Sequence, residues 1–342
     1  MAALILALNP SIDAEWRVDD VLWEEKNNVR SERRWAGGKG INVARWLAHL
    51  GGQPQLLLPL GGKTGGELAG YLRAEKISST IIHLREATRV NVIVTTNVGR
   101  QMRFNPLGPR LSRRQWNAIV AKVKHWLRRA TASAERDRSP VAAATSALDS
   151  ADKLDLVSPS HPLRAGTPRA PLLILSGSLP RGVPVTAYAR LIRLAHRFGV
   201  RTLLDCDGPA FAAAIQARPF LVKPNEHELA QWWRQPLRSE AEILRAARAL
   251  SEQTRGWVLV SRGAKRSLLV NRVEGFQSAA APPRVKPRNT VGAGDALLAA
   301  VAKEIESGAP PLEWLRTGLV VGSAATQVSA GSLPARLRSG AI

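Results

Sequence analysis

Short apolar runs alternate with amphipathic ones along this chain: LILAL, then VARWLAHL, then QLLLPL, and later LLILS, RLIRLAHRF, TLLDC, FLVKP, ILRAARAL and WVLVS. The continuous apolar runs predict strands buried on both faces, and the amphipathic runs predict helices laid over them. Their alternation predicts an α/β fold with a mostly parallel central sheet covered on both sides. In such sheets ligands gather at the carboxyl ends of the strands. Several runs end in polar or Gly-containing turns at Asn9, Ser176 to Ser178, Asp205, Lys223 to Asn225 and Ser261 to Gly263. One sheet edge is therefore expected to collect most of the unusual chemistry.

Two stretches alternate with period two instead. Ala14 to Trp35 and Arg89 to Phe104, the latter turning at Asn97 to Gly99, predict hairpin strands with mixed faces, a small flap over the site. The flap segments span about residues 12–35 and 89–106. Residues Ala130 to Ala170 are rich in Ala, Ser and Pro and sustain no period. A structureless stretch of that length is abnormal inside a compact domain, so it is expected to be a disordered insertion.

An apolar content of 45% is ample for a core. The one cysteine, Cys206, excludes an internal disulfide and a Cys-based zinc site, which fits a reducing, cytoplasmic location. The start, MAALILALNPSID, has no basic leader and an apolar run too short for a membrane span, so no membrane association is expected. A net charge of +22 invites a polyanion. However, Arg113, Arg114, Arg128, Arg129, Arg190, Arg193, Arg197, Arg245 and Arg248 fall on amphipathic stretches, where charges form the solvated face. Aromatics at 5% supply few stacking platforms, and no nucleic-acid-reading motif occurs, so no specific nucleic-acid partner is expected.

The segment NTVGAGDALLAAVAKEIESG, Asn289 to Gly308, places two glycines before an acid at the start of a helical run. Glycines let the N–H groups of Val291 to Gly294 turn inward at a helix start, where the positive dipole end binds phosphate oxygens. Asp295 then stands where it could deprotonate an alcohol attacking phosphorus. The same pattern also serves as an ordinary Gly-rich helix start with a stabilising acid. FLVKPNEHEL puts Asn225 and Glu228 on one helical face after a buried strand, an arrangement that suits water-mediated Mg2+ or a plain dipole partner. VLVSRGAKRSLLV reads as strand, Gly turn and strand. The GKT at Gly62 to Thr64 is no P-loop, because Leu57 stands where that pattern needs glycine. WAGGKGINVARWLAHLGG, Trp35 to Gly52, feeds a Gly-rich loop into a helix, as a cradle for an anion or hydroxyls would, but lacks dinucleotide spacing.

The ordered set LNPSID, GGKGINVAR, TRVNV, SGSLPRGV, LVKPNEHEL, VSRG, NTVGAGDA and GSAAT resembles the PfkB, or ribokinase-like, family of carbohydrate kinases. The resemblance covers nearly the whole chain apart from Ala130 to Ala170 and is nearest the branch holding 1-phosphofructokinase, tagatose-6-phosphate kinase and the minor 6-phosphofructokinase. It implies one three-layer ribokinase-like domain over residues 1–342 with a β-sheet lid. It makes Asp295 the catalytic base and Gly292, Ala293 and Gly294 the anion hole. Asn225 and Glu228 would order Mg2+ through water, while Asn225, Ser261, Gly263, Gly292 and Gly294 would border ATP. Asp13, Gly38, Gly40 and Asn42 would contact sugar hydroxyls, with Ser178 also on the substrate side. A phosphorylated sugar also needs cations at its far end, and Lys26, Arg89 and Arg103, on predicted lid strands, are candidates for that clamp.

The implied reaction is ATP-dependent phosphorylation of a ketohexose phosphate, fructose 1-phosphate to fructose 1,6-bisphosphate foremost, with tagatose 6-phosphate or fructose 6-phosphate as the alternative acceptor. Lid sheets of related folds can pair between subunits, which admits a homodimer. A reading from another class, a non-catalytic sugar-phosphate or nucleic-acid binding protein, has against it the intact Asp295 and its glycines. The chain departs from the family where Asn105-Pro106-Leu107-Gly108 replaces Asn, a variable residue, Pro and Gly, which leaves the lid hinge open. It also ends soon after GSAATQVSAGSLP, implying a short or missing terminal helix beside the nucleotide.

Overall fold

A computed structural model of the chain describes residues 3–136 and 171–335. The apolar runs become the strands of a large sheet. From β1 (Leu4–Leu6) the chain builds outward through β4 (Gln55–Gly61) to β5 (Ser78–Leu84) on one side. It then returns to the other side of β1 with β8 (Leu172–Ser176), β9 (Arg201–Asp205), β10 (Leu221–Val222) and β11 (Trp257–Val260). All these strands pair in parallel, and β12 (Ser267–Asn271) and β13 (Phe276–Ala280) close that edge antiparallel. The direction of growth reverses between β1 and β8, and a crevice forms beyond the strand ends at such a switch point.

Strand periodicity divides the core into two layers. Leu4, Leu6 and Leu8 face one apolar cluster while Ile5 and Ala7 face the other, and Leu173 and Leu175 alternate with Leu172 and Ile174 in the same way. The first layer is closed by α3 (Arg113–Arg136), α4 (Ala187–His196), α5 (Gly208–Ile215), α6 (Glu226–Trp233) and α7 (Glu240–Thr254). The second is closed by α1 (Lys39–His49), α2 (Gly62–Ala74), α8 (Ala293–Ser307) and α9 (Pro311–Thr326). Each fully buried Leu or Ile contributes about 1.5–3 kcal/mol, so burial on both faces fixes the sheet firmly. The nine helix arginines named from the sequence are all exposed, as a solvated face requires.

A second sheet carries the lid, in the order β3 (Ser31–Gly37), β2 (Ser11–Val18), β6 (Arg89–Thr96) and β7 (Gln101–Phe104). β2 pairs antiparallel with β3 and parallel with β6, and β6 and β7 form the expected hairpin. The alternation over Ala14 to Trp35 is interrupted by an exposed loop between β2 and β3, tied by Arg30 to Asp19 and by Asn27 to Leu22. Lys26 therefore lies in that loop rather than on a strand. Of the expected insertion, residues 130–136 complete α3, and residues 137–170 lie outside the described residues. Among the described residues no helix is long and apolar enough to cross a membrane.

Candidate active site

The strand ends marked in the sequence converge on a cavity of about 900 Å³ between the sheet edge, the lid and the start of α8. Asn9, Ser176 to Ser178, Asp205, Lys223, Asn225, Ser261 and Gly263 all line it. So does every site residue named from the sequence except Lys26.

α8 is preceded by its N-cap Gly292, whose φ of 80° is a left-handed conformation that a side chain disfavours, and among the described residues no side chain caps the helix. The first-turn N–H groups that a helix leaves without internal partners are thus presented to the cavity at its positive end. Val291 does not join them, because its N–H donates to Asn289 Oδ1 at 2.5 Å. Asp295 sits in this first turn, 7% exposed, and its Oδ2 accepts a hydrogen bond from Asn42 Nδ2 at 2.8 Å. Burial and the nearby charge of Asp205 push the Asp295 carboxyl up to about 6, against the opposing pull of Lys39, Asn42 and Lys223.

Around it stands a buried charge cluster. Asp205, at the end of β9, accepts from Lys39 Nζ at 2.9 Å and pairs through its other oxygen with Lys223 Nζ at 3.0 Å. Burial alone would lift the Asp205 carboxyl, but the Lys223 and Lys39 ammonium groups outweigh it and hold it below the ordinary value. Burial likewise works against a charged Lys39, yet Asp205, Glu228 and Asp295 together raise its pKa. The Lys223 ammonium lies 3.5 Å from where a Cβ on Gly294 would stand, so a cation adjoins the helix start.

The lid supplies the opposite wall. Asp13 on β2 accepts from Ser11 Oγ at 2.8 Å and Asn91 Nδ2 at 2.9 Å, and burial raises its pKa against these bonds. A Cβ at Gly37 would fall 2.2 Å from the Asp13 carboxyl carbon, so only glycine lets the carboxylate lie against β3. Arg89 donates to the carbonyls of Pro106 at 2.9 Å and Asn9 at 3.0 Å, while its buried Nε has no partner among the described residues. Asn9 Nδ2 also donates to the Leu107 carbonyl and to Ser178 Oγ, both at 3.1 Å. These bonds show where the departing Asn105 to Gly108 segment goes: it is tied back to the end of β1. Arg103 lines the cavity from β7, exposed and bonded to Gln101.

Asn225 and Glu228 are brought together as expected, but in a reciprocal capping box. Asn225 Oδ1 accepts the Glu228 N–H at 2.8 Å and Glu228 Oε2 accepts the Asn225 N–H at 2.9 Å. This leaves Glu228 Oε1, 3.4 Å from Lys39 Nζ, as the carboxylate oxygen available on the cavity side. Hard oxygen donors of this kind fit Mg2+ that keeps its waters. Sequence reasoning assigned no role to Lys39, Asp205, Lys223 or Asn91. Lys39 was visible inside GGKG and Asn91 inside TRVNV, but their partners lie on other elements.

Residues 7–169 and 168–336 match the pfkB family carbohydrate kinases. A 1-phosphofructokinase of Xanthomonas campestris is 32% identical over 318 residues, 92% of this chain and 87% of the relative. A D-tagatose-1-phosphate kinase of Bacillus licheniformis is 27% identical over 317 residues, 92% of this chain and 90% of the relative. The crystal structure of Escherichia coli phosphofructokinase-2 in complex with fructose-6-phosphate superposes with a TM-score of 0.77 at 28% identity, covering 95% of this chain and 93% of that one. With the sheet-edge cavity and the helix-start acid expected from its sequence, this chain belongs to the pfkB family of carbohydrate kinases.

Proposed function

We propose that this kinase transfers the γ-phosphoryl group of ATP to a ketohexose phosphate, foremost fructose 1-phosphate, giving fructose 1,6-bisphosphate and ADP. The observation that carries the reading is Asp295 at the uncapped start of α8, facing the same cavity as the lid-held Asp13. Asp13, Asn42 and the backbone at Gly38 and Gly40 orient the sugar hydroxyls, Asp13 as acceptor and the amide as donor. As the acceptor oxygen bonds to phosphorus and the β,γ-bridging bond of ATP breaks, Asp295 takes the hydroxyl proton. The N–H groups of Gly292, Ala293 and Gly294, with the ammonium groups of Lys39 and Lys223, meet the negative charge on the phosphoryl oxygens. Ser261 and Gly263 border the nucleotide. Mg2+, when bound with the nucleotide, neutralises phosphate charge, and Glu228 and Asn225 are the residues that would hold it through water.

A phosphorylated acceptor is favoured by Arg89, whose guanidinium is held by two carbonyls near the Asp13 carboxylate and whose Nε has no partner among the described residues. Tagatose phosphates and fructose 6-phosphate stand next, because the cavity also has Arg103 available for a phosphate at another position. ADP release with Mg-ATP, measured against fructose 1-phosphate, fructose 6-phosphate, tagatose 6-phosphate and plain fructose, tests this. Selective turnover of one sugar phosphate is the expected outcome, and preference for plain fructose would overturn the clamp. We further place the chain in the cytoplasm, where ATP and sugar phosphates are held, as a homodimer joined through the lid. Supporting the second point, Leu22, Trp23 and Val98 are exposed apolar side chains on the lid's loops, and monomeric sedimentation would contradict it.

A further inference from the structure

Asn42 touches Asp295 through its amide nitrogen, and an amide can present either end. What decides the orientation is Arg45, one turn further along α1. Its Nη1 donates to Asn42 Oδ1 at 3.0 Å. A guanidinium has donors only, so the atom it meets must be the amide oxygen, which leaves the amide N–H for Asp295. Arg45 is itself fixed. Nε and Nη2 form a fork on Glu75 at 2.7 and 2.8 Å, and Nη2 also reaches the Ala36 carbonyl at 2.8 Å. The side chain is 4% exposed, and Glu75, directly after α2, does not line the cavity.

We infer that Arg45 is a positioning residue for phosphoryl transfer, holding the Asn42 amide in the one orientation that donates to Asp295. This rests on the reading of Asp295 as the base. The contacts form one line from Glu75 through Arg45 and Asn42 to Asp295, crossing from α2 through α1 to α8. A lysine in place of Arg45 would keep the charge but lose the planar fork that meets three partners at once.

The test measures kcat and KM for Arg45→Lys, alone and in an Asn42→Ala background, with Asp295→Asn alongside. Small displacements of reacting groups cost up to about a hundredfold, so Arg45→Lys is expected to lower kcat roughly ten- to a hundredfold while KM for ATP stays within about twofold. In the Asn42→Ala background the same substitution should cost less than about twofold, because the group through which it acts is gone. A merely structural arginine would lose the same factor in both backgrounds, and that result, or an unchanged kcat, would overturn the inference. Should Arg45→Lys not fold, Glu75→Gln carries the same comparison with a smaller loss, roughly two- to fivefold, again absent when Asn42 is alanine. Near-normal turnover by Asp295→Asn would instead overturn the proposed base, whatever Arg45 does.

Discussion

At the sheet edge, Asp295, Asp205 and Lys223 are 7%, 1% and 4% exposed, each engaged by a partner within about 3 Å. Across the cavity, Arg103 is exposed and bonded to Gln101, and Lys26 lies in an open loop off the cavity. Arg89 falls between, half-buried with carbonyl partners. The groups that would act on the transferring phosphoryl are fixed by packing before any ligand arrives, as rate-determining geometry requires. The groups that would choose the acceptor, Arg89 and Arg103, stand on a small separate sheet, bonded to carbonyls and a side-chain amide rather than to a carboxylate. On the proposed reading, chemistry and selectivity rest on groups held to different degrees, and substitutions in the two regions should separate cleanly in kinetics.

The largest expected effect is at the rigid wall. Asp295→Asn should keep nucleotide and sugar-phosphate binding, read by calorimetry, and lower kcat roughly 10²- to 10⁴-fold, the usual contribution of a positioned proton acceptor. On the lid, Arg89→Ala should raise KM for the sugar phosphate roughly tenfold or more, the worth of a charge-assisted bond, and change kcat little. Steady-state kinetics of Arg103→Ala should show the smallest change, within about threefold in KM, because an exposed cation gains little from an ion pair. A lid substitution that lowered kcat without touching KM would erase the distinction drawn between the two walls.

Much of this was legible in sequence. Buried strands announce themselves as apolar runs, and their polar ends point to one sheet edge. Local chemistry was harder to tell apart. Asn225 and Glu228, three apart at a helix start, carry the spacing of a capping box, and the structure uses it as one. Lys39, Asp205, Lys223 and Arg45 owe their roles to partners 166, 166, 18 and 30 positions away. No period or local motif encodes such meetings, which arise only when the sheet folds. Lys26 falls in a loop and not on a strand, because period-two alternation does not reveal where a strand gives way to a loop.

On the proposed reading, a buried, paired aspartate takes the proton. This is tested most directly by kcat as a function of pH at saturating substrates. Asp295, pushed up to about 6 by burial and by Asp205, must be ionised to act. A bound nucleotide's phosphates add negative charge, which raises its pKa, and Mg2+ bound with them offsets part of that charge. kcat is expected to fall about tenfold per pH unit below a midpoint near pH 6, and this limb should be lost in Asp295→Asn. A kcat unchanged down to pH 5, or the same limb persisting in the variant, would contradict that reading.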